Sequence, residues 1–162
     1  MALAVTEREL RLLLSEYPFT SIYGFRLHAI AEGQCTLDVP FQTAFERPGG
    51  LVSGPVFMAA ADVAMWLALL TRLGPADGSV TVEMKTNFLS AARQEDFRCT
   101  AKILKLGKRL VYGVAECVTR EGTLLTHHTL TYFRSDSTQQ PDAPQSAGKP
   151  RKQRRRSDRH SD

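Results

Sequence analysis

The sequence is poor in cysteine, and the three cysteines that it has are widely separated. Cys35, Cys99 and Cys117 are odd in number, and no two of them have the spacing of metal ligands. Neither a disulfide framework nor a cysteine metal site is therefore predicted. We expect reduced, half-buried thiols, as is usual in a cytoplasmic protein.

Segments that would direct the chain to a membrane are also lacking. The first eight residues have no basic flank followed by an apolar core, so no secretory signal is expected. The longest apolar run, residues 56–70, is shorter than the roughly 20 residues of a membrane span and contains Asp62 near its centre. We predict a cytoplasmic chain without a membrane span.

Large hydrophobic residues are missing altogether from residues 135–162. Such a segment cannot bury enough apolar surface to offset its ordering entropy, so we predict one domain over residues 1–134 and a disordered basic tail over residues 135–162. The tail has seven basic and four acidic residues, which gives +3 of the chain's net charge of +4. Nucleic acid is therefore not an expected partner, except weakly through the tail.

The most informative segment is the apolar run over residues 56–70, in which Asp62 is the only charged residue. A run that is apolar on nearly every side predicts a buried helix. An unpaired carboxylate is costly to remove from water, so a carboxylate at such a position favours a functional role over a structural one. The structural alternative is a carboxylate paired with Arg47, Arg72 or a strand hydroxyl.

The flanking segments predict a helix and then strands. Residues 6–16 predict a short helix capped by Thr6, which Pro18 ends. Residues 25–41 predict two strands joined by a turn at residues 32–33, and the apolar helix is expected to end near Gly74. Strands are predicted over residues 79–89, 97–106, 110–119 and 123–133, as consecutive hairpins.

This order predicts an α+β fold in which an antiparallel β-sheet wraps around one long central α-helix. The small residues on that helix would let the sheet approach it closely; they are Ala59, Ala60, Ala61, Ala64 and Ala68. In the last strand, His127 and His128 are adjacent and should therefore lie on opposite faces. No metal site is expected from them.

The residues before the apolar helix are suited to polarising a carbonyl group. Gly54 and Pro55 would lie in the first turn, where backbone N–H groups have no intrahelical acceptor and the helix dipole is positive. A carbonyl oxygen placed at the Gly54 N–H would be stabilised as negative charge develops on it. Asp62 would supply a base or nucleophile, and Ser53 is expected mainly as a helix cap.

Three segments in this order resemble the hotdog-fold acyl-CoA thioesterases of the phenylacetate-pathway type. That family has His-Gly-Gly, six more residues and then Asp in a central helix, and here Ser53 lies nine residues before Asp62. Residues 82–92 resemble the family's Asn-Phe-Leu-x-Pro-Ala strand ending, and residues 107–109 its usual hairpin turn. The similarity covers roughly residues 20–134.

The resemblance implies a homodimer or homotetramer with active sites at the subunit interface. It implies that Asp62 acts as general base or nucleophile on an acyl-CoA thioester, and that the backbone N–H of Gly54 polarises the carbonyl. Thr81 lies where a Ser or Thr on the strand of the other subunit often assists. No metal or organic cofactor is implied beyond the coenzyme A of the substrate.

The chain departs from the family pattern at three positions. Ser53 replaces the usual His, Pro55 replaces the second Gly, and Arg47 lies where an Asn often orients the attacking water. Two alternatives stay open. One is a non-enzymatic acyl-CoA or acyl-lipid binding protein, and the other is a hotdog hydratase or dehydratase, which the lack of any His between His28 and His127 disfavours.

The candidate residues form two groups. The candidate catalytic residues are Asp62, Gly54, Thr81 and Ser53. The candidate substrate-binding residues are Arg47, Gly50, Phe57, Met58, Met65, Trp66, Asn87, Lys108 and Arg109, with the last two proposed to hold the phosphates of coenzyme A.

Overall fold

The computed structural model describes residues 2–134. The predicted basic tail lies outside the described residues. The elements, in chain order, are α1 (Glu7–Glu16), α2 (Pro18–Ser21), β1 (Arg26–Ala31), β2 (Gln34–Val39), a 3₁₀ turn (Thr43–Phe45), β3 (Glu46–Arg47), β4 (Leu51–Val52), α3 (Gly54–Leu73), β5 (Val80–Phe88), β6 (Phe97–Leu106), β7 (Leu110–Val118) and β8 (Leu124–Phe133).

Helix α1 forms as its sequence predicts. Thr6 and Glu9 make a reciprocal capping box, in which Thr6 Oγ1 accepts from the Glu9 N–H and Glu9 accepts from the Thr6 N–H. Leu10 and Leu14 bury one stripe of the helix. Pro18 lies beyond its end, but it also begins α2, a short helix that the sequence does not predict.

Six strands form one antiparallel sheet in the order β1-β2-β6-β7-β8-β5, and β3 and β4 form a separate two-stranded ribbon. The prediction of consecutive hairpins is wrong at one connection. Strand β5 does not pair with β6, which follows it in the chain, but crosses over to pair with β8. One side of β5 therefore has no strand partner within the described part of the chain, so β5 is an edge strand.

Helix α3 packs against one face of this sheet, mainly against β6 and β2, which confirms the hotdog arrangement. Ala60, Ala61, Ala64 and Ala68 are completely buried, as the close approach of the sheet requires. On the sheet side, a Cβ on Gly113 would collide with the Met65 side chain, so a glycine at this position lets α3 pack against β7. Buried leucines on α3 stabilise the domain by roughly 1.5–3 kcal/mol each.

Helix α3 is also long and apolar enough to cross a membrane by length and composition alone. Its 18-residue window has a mean hydropathy of 1.6, and 67% of that window is buried inside the protein. Burial against the sheet accounts for the apolar character of this helix.

A β-bulge in β5 changes which side chains point toward α3. A regular strand would place Val80, Val82 and Met84 on one face. The pairing with β8 shifts register between Thr81 and Glu83, so that Thr81 shares the helix-facing side with Met84. The bulge therefore directs Thr81 toward α3.

Candidate active site

Gly54 is the first residue of α3, and its surroundings follow from the ribbon before it. The turn between β3 and β4 uses Gly49 and Gly50 at positive φ, and Ser53 takes the N-cap position without a side-chain capping bond. The Gly54 N–H has no intrahelical acceptor and lies at the positive end of the helix dipole. A Cβ at Gly54 would be 3.1 Å from the nearest ring atom of Phe88.

A cleft of about 390 Å³ opens beside Gly54. Its walls come from β3, from the start of α3 and from the end of β5 with the residues that follow it. The lining residues are Arg47, Gly54, Phe88, Leu89, Ser90 and Ala91. The cleft therefore combines one backbone donor, one guanidinium and an apolar ring. It can accept a polar oxygen at its base, with apolar surface around it.

Asp62 lies two turns further along α3 and is half-buried. Within the described residues, its carboxylate is held by hydroxyl groups rather than by a cation. Thr81 Oγ1 donates to Asp62 Oδ1 at 2.7 Å, and Tyr132 Oη lies 2.5 Å from the same oxygen and 2.9 Å from the Asp62 main-chain oxygen. Burial raises the pKa of Tyr132, and the charge of Asp62 raises it further, so this phenol keeps its proton.

The Asp62 carboxylate borders a second cleft, of about 410 Å³. Most of this cleft is apolar or carries only hydroxyl groups; its lining residues are Phe19, Asp62, Val63, Trp66, Ser79, Val80, Thr81 and Tyr132. Asp62 is the only carboxylate among these lining residues, and none of them is basic. A carboxylate with few polar neighbours in an open apolar cleft can act as a base toward a bound water.

The two clefts share no lining residue. Gly54 and Asp62 are eight residues apart on one helix, which separates their Cα atoms by about 12 Å. Within one chain, the amide donor and the carboxylate therefore cannot both contact the same thioester group. The structure places the two predicted functional groups in separate half-sites at opposite ends of β5.

Thr81 is hydrogen-bonded to Asp62 of its own chain. The resemblance implied a helper residue from the other subunit, which stays a prediction; the contact that the structure shows lies within one chain. The strand-hydroxyl partner considered for Asp62 is present, whereas the guanidinium partners are not. Arg47 lines the Gly54 cleft, and Arg72 forms a salt bridge with Glu32 at 3.2 Å.

Two predicted substrate contacts are core residues instead. Phe57 is buried and its ring lies 4.7 Å from that of Phe97, and Met65 is completely buried beneath β7. Trp66 lines the Asp62 cleft, where a role in substrate binding stays a prediction. Met58 is 39% exposed but lines neither of the two clefts.

The remaining predicted contacts lie outside both clefts. Gly50 lies in the β3–β4 turn, near Arg47. Asn87 pairs with His127 on the face of the sheet that points away from α3. Lys108 and Arg109 are exposed in the β6–β7 turn, at the same end of the sheet as Thr81 and Tyr132.

The sequence did not single out Tyr132 or Phe19. Alternation along β8 places Tyr132 on the buried face, but only the pairing of β8 with β5 brings it to Asp62. Phe19 follows Pro18 in a helix of four residues, too short to show a periodic pattern. No local signal in the sequence could have located either contact.

The three cysteines are all buried rather than half-buried. Burial raises the pKa of Cys35 to about 12, which makes its thiol unreactive. Within residues 2–134, no group of three or more His, Cys, Asp and Glu residues is arranged to hold a metal ion.

Comparison with known proteins decides the family. Residues 49–126 match the family model described as "Thioesterase superfamily". A protein of Saccharolobus solfataricus named "Putative esterase" is 30% identical over 95 residues, which cover 59% of this chain and 67% of that protein. The chain belongs to the thioesterase superfamily.

Solved structures place this superfamily member among hotdog thioesterases. A "Putative thioesterase" from Silicibacter sp. TM1040 has a TM-score of 0.74 and 31% identity over 84% of this chain and 96% of that one. Thioesterase HI1161 from Haemophilus influenzae has a TM-score of 0.78 at 22% identity, over 87% and 99% of the two chains. The latter comparison shows the fold alone.

One further protein of this fold was solved with coenzyme A. It is a hypothetical thioesterase from Streptococcus pneumoniae TIGR4, with a TM-score of 0.63 and 14% identity over 68% of this chain and 85% of that one. Membership in the thioesterase superfamily supports thioester hydrolysis as the general reaction.

Proposed function

We propose that this protein hydrolyses acyl-CoA thioesters, with Asp62 as general base or nucleophile and the Gly54 N–H as the donor that polarises the thioester carbonyl. The observation that carries this proposal is the environment of Asp62. Its carboxylate is held by two hydroxyl groups, has no cation partner among residues 2–134 and borders an apolar cleft. A purely structural carboxylate in a core helix would be expected to have its charge paired.

In the base mechanism, a water attacks the carbonyl carbon while Asp62 takes one of the water's protons. The carbonyl oxygen becomes an oxyanion, which the Gly54 N–H stabilises by about 3–4 kcal/mol. The C–S bond then breaks, and coenzyme A leaves as a thiolate that receives the proton from Asp62. General base catalysis of this kind contributes about 10²–10⁴ in rate, and the scheme needs no further cofactor.

The separation of the half-sites requires a second copy of the chain in this scheme. Since about 12 Å separates Gly54 from Asp62 in one chain, we propose that each active site combines Asp62 of one copy with Gly54 of the other. Two central helices that pack antiparallel about Met58, midway between the two residues, would bring Gly54 of each helix next to Asp62 of the other. Met58 is 39% exposed on a helix that is otherwise largely buried.

The unpaired edge of β5 supports the same two-fold arrangement. Val80, Val82 and Phe88 on this strand are each more than half exposed, and an exposed apolar edge strand is prone to pair with another strand. Antiparallel pairing of β5 with its own copy would place the Phe88 end of one strand beside the Val80 end of the other. That pairing joins the Gly54 cleft of one copy to the Asp62 cleft of its partner.

The chemistry around Asp62 favours an apolar acyl group attached to an anionic carrier. Phe19, Trp66 and Val80 supply apolar walls. Lys108 and Arg109 supply exposed positive charge at the same end of the sheet, suited to the phosphates of coenzyme A. The coenzyme A bound to a protein of the same fold is compatible with this choice of carrier.

A thiol-release assay over short, medium, long and aryl acyl-CoAs tests the proposal. The wild-type protein should release free coenzyme A, and Asp62→Asn should reduce kcat by about 10²–10⁴. Tight binding of acyl-CoA without thiol release would instead indicate a non-enzymatic binding protein. Hydrolysis that Asp62→Asn leaves unchanged would remove the proposed mechanism.

A further inference from the structure

Tyr132 makes the shortest hydrogen bond to the Asp62 carboxylate. The residue is 2% exposed, its hydroxyl lies 2.5 Å from Asp62 Oδ1, and Thr81 Oγ1 lies 2.7 Å from the same oxygen. Two hydroxyl groups from two different strands therefore converge on one carboxylate oxygen. No hydrogen bond within residues 2–134 reaches the other oxygen, Oδ2.

The asymmetry distinguishes the two oxygens chemically. Oδ1 already accepts two hydrogen bonds, which reduces its capacity to accept a further proton. Oδ2 has its lone pairs available to a water in the cleft. A carboxylate held at one oxygen also has a fixed orientation, because rotation about its side-chain torsions would break both bonds at once.

We propose that Tyr132 is a positioning residue that, together with Thr81, fixes Oδ1 of Asp62, so that Oδ2 is the oxygen that takes the proton from the attacking water. This inference rests on the proposed function and specifies how the base is oriented. In this role Tyr132 acts through Asp62, to which its hydroxyl is bonded.

The phenol is suited to this role because it remains a donor. Burial raises the pKa of Tyr132, and the neighbouring Asp62 charge raises it further. Its single proton can serve either Asp62 Oδ1 or the Asp62 main-chain oxygen, 2.9 Å away. The ionised carboxylate is the stronger acceptor, so the proton is directed to Oδ1 while Asp62 is charged.

Few titratable residues lie around Asp62, which simplifies the expected pH dependence of kcat/KM. Among the residues that line its cleft, from α2, α3, the segment before β5, β5 itself and β8, only Asp62 and Tyr132 titrate. Of these two, Tyr132 keeps its proton, because burial and the charge of Asp62 raise its pKa. The acid limb of the kcat/KM profile should therefore report the protonation of this one base.

Tyr132→Phe tests the inference, because it removes the hydroxyl and keeps the buried ring. We expect kcat to fall about 10-fold or more while KM changes less than about twofold. We also expect the acid limb of kcat/KM to move to higher pH, because a carboxylate that loses a donor is more easily protonated. Tyr112→Phe is the matched control: Tyr112 is 43% exposed on the outer face of β7 and should leave both quantities unchanged.

Thr81→Val is a second, independent variant, and it decides the question if Tyr132→Phe does not fold. It removes the other bond to Oδ1 and should move the acid limb in the same direction, with a larger shift in the double variant. An acid limb that stays in place in the folded variants would overturn the inference and leave a structural role for Tyr132. If Asp62→Asn remains as active as the wild type, the proposed function itself fails, which is a distinguishable result.

Discussion

Two polar clusters lie on the same buried face of β8, four residues apart. In one, Tyr132 contacts Asp62 from the strand side. In the other, His128 lies between two threonines, with Nδ1 2.9 Å from Thr86 Oγ1 and Nε2 2.7 Å from Thr126 Oγ1. Both clusters place hydrogen-bonding groups beneath a sheet that is otherwise apolar on this face.

The clusters differ in whether a polar atom is left free to bind a ligand. We call the cluster of Asp62 and Tyr132 the open cluster and that of His128 the closed cluster. His128 is completely buried, and both of its ring nitrogens have partners inside the protein. Asp62 is half-buried, and its Oδ2 has no donor in the part of the chain that the structure describes. A polar cluster whose groups are all satisfied internally contributes to the fold, whereas a cluster with an unused acceptor on a cleft is available for chemistry.

Apart from substitutions of Asp62, the largest effect on kcat is expected at Gly54. The proposed mechanism needs the Gly54 N–H of one copy together with Asp62 of the other. Gly54→Pro removes the N–H and should lower kcat about 10²–10³-fold, because one oxyanion donor is lost. Gly54→Ala keeps the N–H and is the matched control for the added bulk, since a Cβ would approach the Phe88 ring to 3.1 Å. The Phe88 ring is 56% exposed and can shift, so thiol release by Gly54→Ala should stay within about 10-fold of wild type. Equal losses in the two variants would indicate a steric effect instead.

A substitution in the closed cluster should affect stability rather than catalysis. His128→Leu leaves the hydroxyls of Thr86 and Thr126 without their partner, which should lower the free energy of unfolding by about 1–3 kcal/mol. The value of kcat per folded molecule should not change. Urea unfolding and thiol release on the same preparation measure both; a His128→Leu variant that is stable but inactive would break the distinction between the clusters.

The charges beside the open cluster should affect binding of the carrier alone. Lys108→Glu combined with Arg109→Glu should raise KM for acyl-CoA about 3–10-fold at low salt, because the nucleotide phosphates would meet negative charge. KM for a short thioester that lacks the nucleotide should not change, and this substrate is the control. Equal increases for both substrates would argue against phosphate binding by this turn.

The smallest effect is expected at Asp38, a carboxylate with both oxygens held by basic residues on the surface. Partial burial alone would raise the pKa of Asp38, but hydrogen bonds from Arg98 at 3.0 Å and His28 at 2.9 Å outweigh it and lower the pKa below 3.8. A lowered native pKa stabilises the protein above the unfolded-state pKa, and this contribution is lost as the pH falls through the native one.

Arg98→Leu should therefore cost at most about 1 kcal/mol near pH 7, since the pair is largely exposed and screened. The difference from wild type should shrink as the pH falls below about 3.8, the unshifted value for Asp38. Urea unfolding of both proteins at several pH values measures it. A difference that persists at the lowest pH would point to lost packing of the Arg98 side chain rather than to charge.

The sequence predicted most of the fold because its signals are local. The cap at Thr6, the turn at Gly33 and the apolar run that forms α3 each depend on neighbouring residues, and their elements form close to the expected bounds. The pairing of β5 with β8 was not predictable in this way. It depends on a crossover between segments about 40 residues apart, and periodicity does not encode it.

The candidate site was predicted only in part, because some of its residues stand out locally and others come together only through long-range pairing. Asp62 and Gly54 stand out locally, one as a charge in an apolar helix and the other at a helix start. Tyr132 becomes a contact of Asp62 only through strand pairing, and Phe57 and Met65 could be recognised as core residues only once the sheet was placed over α3. The separation of Gly54 from Asp62 follows from helix geometry, and it makes a second copy necessary in the proposed mechanism.

Subunit mixing tests that central claim most directly. Asp62→Asn and Gly54→Pro should each be nearly inactive alone. After unfolding and refolding together in equal amounts, half of the dimers would contain one copy of each, and each mixed dimer would have one intact site. Activity should then recover to about a quarter of the wild-type value. A mixture that stays as inactive as its two parents would contradict an active site shared between Asp62 of one copy and Gly54 of the other.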